Sequence, residues 1–102
     1  MLESVLESKV RAYAISKGCL FLKFVSPGNP GVPDRILITP QGRVSFMEMK
    51  APGCKPRPIQ RAYIFKLQNH NCHADYYDSI DGAKRHIDSQ VDAGPVSFGL
   101  PR

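Results

Sequence analysis

The sequence lacks any apolar run that approaches the ~20 residues needed to span a lipid bilayer. Its first ten residues are acidic rather than basic and contain no apolar stretch of the kind found in signal peptides. It has only three cysteines, and no second pair at zinc-finger spacing accompanies Cys72-His73. We therefore expect a cytoplasmic protein with reduced thiols and without a membrane segment or a zinc finger.

Acidic residues are missing from the stretch between Lys50 and His73, which carries five basic residues. The 102 residues have a net charge of +5, and a small basic domain often binds a polyanion such as nucleic acid. A hydrophobic content of 42% and a charged content of 23% are typical of one soluble globular domain and exclude a disordered tail or a coiled coil. The acids outside the late part of the chain are Glu3, Glu7, Asp34 and Glu48.

Apolar periodicity and Pro/Gly clusters predict the order helix, three strands, helix, strand, helix. This order predicts an α/β fold with a mixed sheet of about four strands flanked by helices. We expect one domain over residues 1–92 and a C-terminal tail over residues 93–102. The predicted elements are a helix over 2–17, strands over 20–25, 35–39 and 43–50, a helix over 59–68, a strand over 74–77 and a helix over 80–91.

The turn Pro40-Gln41-Gly42 predicts a hairpin that brings two carboxylates together. If the loop has three residues, Ile38 faces Val44, Ile36 faces Phe46, and Asp34 faces Glu48. Lys50 lies diagonally on the same face, because side chains alternate with a period of two. A two-residue turn would shift the register by one residue and break this pairing.

Two like charges directly opposite each other destabilise a sheet. Three arrangements relieve the repulsion between Asp34 and Glu48: one carboxyl holds a proton, Lys50 neutralises the pair, or a divalent cation bridges both acids. Glu7, one residue past Leu6, and Glu3, one turn earlier, lie beside the apolar stripe of the first helix. If that stripe packs on the face that carries Ile36 and Phe46, one of these acids reaches the same site; otherwise both face solvent.

A site of two or three carboxylates suits Mg²⁺ or Mn²⁺, with the open positions taken by water and phosphate oxygens. Such a metal lowers the pKa of its bound water, and Lys50 would orient or deprotonate that water or stabilise charge on the phosphate. The chemistry that this arrangement suggests is metal-assisted hydrolysis of phosphodiester bonds.

The sequence Gly31-Val32-Pro33-Asp34, followed by Glu48-Met49-Lys50 and then Gln60, resembles the motif of the PD-(D/E)XK nuclease superfamily. More narrowly it resembles the virus-type replication and repair nuclease domain, the VRR-NUC family, in its small phage-encoded members. The likeness extends over residues 7–87. It implies that Asp34 and Glu48 bind the metal, that Lys50 is the catalytic lysine, and that Met49 offers its backbone carbonyl to the metal.

The same resemblance implies that Glu7 is the first-helix acid of the metal site, while Glu3 has no clear counterpart. Gln60 matches the glutamine that begins the helix after the core motif, although read alone it is an ordinary helix-start residue. Such domains are similar in forming homodimers and in acting on branched DNA, such as flaps or four-way (Holliday) junctions in DNA repair. The implied location is the cytoplasm of a prokaryotic or phage-infected cell.

A strip of basic residues follows the core motif and is either a phosphate-contacting surface or an ordinary solvated one. Lys23, at the end of the first strand, either lies near the site or extends from a sheet edge. The histidines show no nucleophile-like pairing and are expected at the surface. A non-catalytic DNA-binding module on the same fold, or a hydrolase acting on RNA or a small nucleotide, remains an alternative. The strip consists of Lys55, Arg57 and Arg61.

Overall fold

A computed structural model describes residues 1–95, and the predicted elements all form in the predicted order. None of the described helices is long and apolar enough to cross a membrane. The last helix ends at the predicted domain boundary, whereas most of the predicted tail, residues 96–102, lies outside the described residues. The elements are α1 (Glu3–Ser16), β1 (Leu20–Lys23), β2 (Arg35–Ile38), β3 (Val44–Met49), α2 (Pro58–Asn69), β4 (Ala74–Tyr77) and α3 (Ile80–Asp92).

The sheet is mixed, with the strands in the order β1-β2-β3-β4. β1, β2 and β3 form an antiparallel meander, and β4 pairs parallel with β3 after the crossover through α2. The predicted hairpin register is confirmed, since Ile36 pairs with Phe46 and Ile38 pairs with Val44. The four-strand α/β architecture expected from the sequence is therefore confirmed.

The hydrophobic core lies on the sheet face opposite to the one that carries Ile36 and Phe46. The buried strand residues are Leu37, Met47 and Met49, which alternate with the half-exposed residues of the Ile36 face. They pack in one cluster with Leu6 of α1 and Ile87 of α3. The condition that α1 packs on the Ile36–Phe46 face is therefore not met, because Leu37, Met47 and Met49 on the opposite face supply the buried layer.

The other sheet face is only partly covered. α2 packs against β4, where Ile64 is buried and lines a cavity with Tyr76. On the β1 side of this face, Leu20 and Leu22 remain exposed. The sheet thus has one face covered by α1 and α3 and one face with an apolar surface open beside β1.

Candidate active site

The β2–β3 hairpin brings Asp34 and Glu48 to one end of the sheet. The ladder ends at the pair Arg35 and Met47, so the next pair along the same register consists of Asp34 and Glu48. The backbone carbonyl of Asp34 accepts a hydrogen bond from the N–H of Phe24 at 2.7 Å, which fixes the start of β2 against the end of β1. The register therefore places both predicted carboxylates at the same end of the sheet and on the same face.

Glu48 is the buried member of this group. Its relative exposure is 6%, and the Nζ atom of Lys50 lies 3.7 Å from its Oε2 atom. Burial, and next the charge of Asp34, raises the pKa of the Glu48 carboxyl from its ordinary 4.5 to about 7, although Lys50 opposes the shift. The lysine therefore does not fully neutralise the carboxylate pair.

The two acids of α1 occupy different surroundings. Glu7 forms an ion pair with Arg35, which lies on the sheet face that α1 covers. Glu3 is exposed and lies three residues before the buried Leu6, so it extends the buried stripe by one turn. Its negative charge contributes to the raised pKa of Glu48. The metal role of Glu7 stays a prediction.

The donor set fits a hard divalent cation as a two-carboxylate site. Within residues 1–95, no three His, Cys, Asp or Glu side chains are grouped closely enough to hold a metal by themselves. Oxygen ligands from Asp34 and Glu48, completed by water, a backbone carbonyl and substrate oxygens, are typical of Mg²⁺. The backbone N–H and C=O groups of successive β3 residues point alternately toward β2 and toward β4, and those of Met49 point toward β2. The paired part of β2 ends at Arg35, so the Met49 carbonyl has no strand partner there.

Gln60 lies at the start of α2 and is largely buried. Its Oε1 atom accepts a hydrogen bond from the backbone N–H of Arg57 at 2.8 Å, so its side chain caps the helix. The loop before β2 contacts this helix start: a Cβ atom on Gly31, whose φ is +92°, would lie 2.5 Å from the carbonyl oxygen of Ile59. Only glycine allows this approach, which connects the Asp34 loop to the Gln60 helix.

The predicted basic strip follows β3 and leads into α2. Lys55, Arg57 and Arg61 are all exposed. Lys23 is exposed as well, but it lies on the α1 side of the sheet and lines a cavity with Glu7 and other residues rather than joining the strip. The structure therefore brings three of the four predicted DNA contacts to one segment and leaves Lys23 apart.

The expectation that every histidine lies at the surface is wrong for His86. Its relative exposure is 3%, and its two ring nitrogens are hydrogen-bonded to the Ser45 hydroxyl at 2.8 Å and to the Tyr77 hydroxyl at 2.7 Å. Burial, and next the charge of His73, lowers the pKa of the His86 imidazole to about 3. The neutral ring therefore connects α3 to β3 and β4 on the sheet face that α3 covers. His86 lies three residues after the buried Ala83, and this helical spacing was the sequence signal for its burial.

The fold agrees with the one that the likeness in the sequence motifs implied, and the register brings Asp34 and Glu48 to one end of the sheet. Two solved structures named as VRR_NUC domains share the fold. One has a TM-score of 0.77 at 23% identity and covers 84% of this chain and 94% of its own. The other has a TM-score of 0.76 at 16% identity and covers 95% of this chain and 93% of its own.

A curated relative is closer in sequence. The protein named "Putative nuclease p44" from Acyrthosiphon pisum secondary endosymbiont phage 1 is 49% identical over 69 residues, which is 65% of this chain and 70% of that protein. No family model matches the sequence. The chain belongs to the VRR-NUC family, as the likeness in its motifs predicted.

Proposed function

We propose that this protein is a divalent-metal-dependent DNA endonuclease that hydrolyses phosphodiester bonds with Mg²⁺ or Mn²⁺. The observation that carries the proposal is the buried Glu48, with its raised pKa, beside Asp34 and Lys50 at one end of the sheet in a VRR-NUC chain. A nuclease name on the phage relative supports the same activity. The metal, when bound, supplies an activated water and neutralises charge on the phosphate.

In this proposal each residue of the site has a separate role. Asp34 and Glu48 hold the cation, with the Met49 carbonyl and the Glu7 carboxylate as further ligands. Glu7 must leave Arg35 to take this part. Lys50, whose ammonium is 3.7 Å from Glu48, orients the attacking water or stabilises charge on the scissile phosphate.

Gln60 is assigned a catalytic position beside this group. The oxygen of its side chain is occupied by the backbone of Arg57, so the amide NH₂ is the part that remains to contact water or phosphate. Lys55, Arg57 and Arg61 contact the DNA backbone next to the site, and Lys23 does so from the end of β1. These contacts fix the position of the DNA and carry no base specificity.

The proposed substrate is branched DNA, such as a flap or a four-way junction, and the proposed assembly is a homodimer. Both parts come from the VRR-NUC likeness. The proposed setting is DNA repair or replication in the cytoplasm of a prokaryotic or phage-infected cell, which the phage relative supports.

The test is cleavage of linear duplex, single-stranded, flap and four-way-junction DNA with Mg²⁺, with Mn²⁺ and with EDTA. Asp34→Ala, Glu48→Ala and Lys50→Ala are expected to lose at least about 10²-fold in rate, while Asp92→Ala, an exposed acid on α3, retains activity. Cleavage that survives Glu48→Ala, or that persists in EDTA, contradicts the mechanism. Equal rates on all four substrates contradict structure selectivity alone.

The first-helix acid is tested separately. If Glu7 is a ligand, Glu7→Gln weakens Mn²⁺ binding by about tenfold or more, whereas Glu3→Gln leaves it nearly unchanged. The reverse order assigns the role to Glu3, whose charge already acts on Glu48. Calorimetric titration of Mn²⁺ into the two variants, without DNA, decides between them.

A further inference from the structure

The two edges of the sheet differ in how their backbone groups are satisfied. On β4, the Ala74 carbonyl accepts a hydrogen bond from Gln68 Nε2 at 2.8 Å, and the Tyr76 N–H donates to Asp75 Oδ1 at 2.8 Å. Strand alternation makes Ala74 and Tyr76 the residues whose backbone points away from β3. Side chains thus occupy two of the four outward backbone groups of Ala74 and Tyr76 and oppose the addition of another strand at β4.

The β1 edge carries no such caps. The Phe24 N–H donates to Asp34, so alternation directs the backbone of Leu20 and Leu22 toward β2 and the backbone of Phe21 and Lys23 outward. Within residues 1–95, the outward N–H and C=O groups of Phe21 and Lys23 have no hydrogen-bond partner. This edge is a template for one more strand.

The sheet face beside this open edge is apolar. Leu20 is 55% exposed, Leu22 is 45% exposed and Val44 is 48% exposed. All three lie on the face that α1 and α3 do not cover, and α2 packs over β4 at the far side of that face. An edge with free backbone groups and an uncovered apolar face therefore meet at β1.

β1 is complementary to itself when read antiparallel. A two-fold axis at Leu22 pairs the outward backbone groups of Phe21 with those of Lys23 in the second copy, giving four hydrogen bonds. The same register sets Leu22 against Leu22 and Leu20 against Phe24, so only apolar side chains meet on the uncovered face. No charged side chain enters that row.

We infer that β1 pairs antiparallel with β1 of a second copy of this chain and joins two sheets into one of eight strands. The inference gives the proposed homodimer its interface, and it does not depend on catalysis. Glu48 lies on the third strand from the axis in each copy, so five strand spacings separate the two sites laterally by about 24 Å. Because the axis is perpendicular to the sheet, both sites open on the same side.

The first experiment measures mass by light scattering, with Leu22→Lys compared with Ile15→Lys. Ile15 is 53% exposed on α1 and is the matched control for adding a charge to an exposed apolar position. Wild type and Ile15→Lys are expected to be dimers at micromolar concentration, and Leu22→Lys is expected to raise the dissociation constant by about tenfold or more. Circular dichroism of each variant verifies that it is folded.

The second experiment tests the register with single cysteines, after Cys54 and Cys72 are replaced by serine. Leu22→Cys places two Cα atoms about 4.5 Å apart across the axis, within the range of a disulfide, so mild oxidation yields a covalent dimer. Leu20→Cys, the control, places them roughly 13 Å apart along the strands and stays uncrosslinked. Native Cys19 is buried.

Each adverse outcome overturns a stated part of the inference. A monomeric wild type at up to 100-fold higher concentration removes the dimer, whether or not DNA is cleaved. A dimer that Leu22→Lys leaves intact removes the β1 interface. Crosslinking of Leu20→Cys in preference to Leu22→Cys removes the register. A monomer that still cleaves DNA overturns this inference and leaves the proposed endonuclease standing.

Discussion

Replacing Glu48 with Gln removes one titrating group while retaining its shape, so it isolates the electrostatics of the site. Burial and Asp34 raise the pKa of Glu48 to about 7, and the unfolded chain restores its ordinary 4.5. Between these values the folded state binds more protons at this group than the unfolded state does. The free energy of unfolding of the metal-free protein therefore falls as the pH rises from 4.5 to about 7.

The size of this loss follows from the pKa difference. A shift from 4.5 to about 7 corresponds to roughly 3 kcal/mol at 1.36 kcal/mol for each pKa unit. The edge of the site is open to water, which screens the carboxylates, so an effect of about 2 kcal/mol is expected. Glu48→Gln, which remains neutral, is expected to be more stable than the wild type by about that amount at pH 8 and nearly equal to it at pH 4.5.

The assay is urea unfolding, in EDTA, of both proteins between pH 4.5 and pH 8. The comparison uses the difference between the two curves because His86 acts with the opposite sign. Its folded pKa of about 3 lies below its ordinary 6.5, so its contribution to stability is lost as the pH falls through 6.5. That loss is common to both proteins and cancels in the difference.

Parallel curves over the whole range refute the reasoning, since they mean that Glu48 ionises in the folded protein as it does in the unfolded chain. Divalent metal supplies an independent check. Mn²⁺ at pH 8 is expected to stabilise the wild type, in which it replaces the missing proton, by more than it stabilises Glu48→Gln.

Two further predictions concern the parts that support the site. Gly31→Ala is expected to cost at least about 2 kcal/mol more in urea unfolding than Gly42→Ala, since both have positive φ but only Gly31 faces a backbone oxygen, that of Ile59; equal losses contradict this. His86→Phe is expected to cost about 2 kcal/mol by leaving the buried Ser45 hydroxyl unpaired. Adding Ser45→Ala is expected to recover part of the loss, and a purely additive double variant refutes the pairing.

The hairpin was predictable because several local signals agreed. Pro40 and Gly42, which disfavour regular secondary structure, lie two residues apart in the turn. Apolar residues flank the turn at matched positions on the two strands. Together they fix the register, and the register alone brings Asp34 opposite Glu48. Element order followed for the same reason, since glycine, proline or a capping serine marks most of the breaks between elements, although α2 ends at His70 and Asn71 without one.

The choice of covered face was not predictable from alternation. Both faces of the hairpin read as apolar, one through Ile36 and Phe46 and the other through Leu37 and Met47. Which face a helix covers depends on the crossovers and on long-range packing with Ile87, which local pattern does not contain. The same long-range packing determines that His86 is buried and that Glu7 meets Arg35.

The uncovered apolar face and the buried Glu48 carboxyl, with its raised pKa, each lower the stability of the folded, metal-free monomer. An apolar face beside an open edge exposes hydrophobic area to water, and a buried acid beside a second acid opposes folding at neutral pH. Natural chains retain such costs where another molecule removes them. In the proposals made above, a second copy covers Leu20 and Leu22, and a cation neutralises Asp34 and Glu48. The two costs lie at different places on the sheet, so the two remedies are separable: a variant that stays monomeric should still gain stability from Mn²⁺, and a metal-free protein should still dimerise.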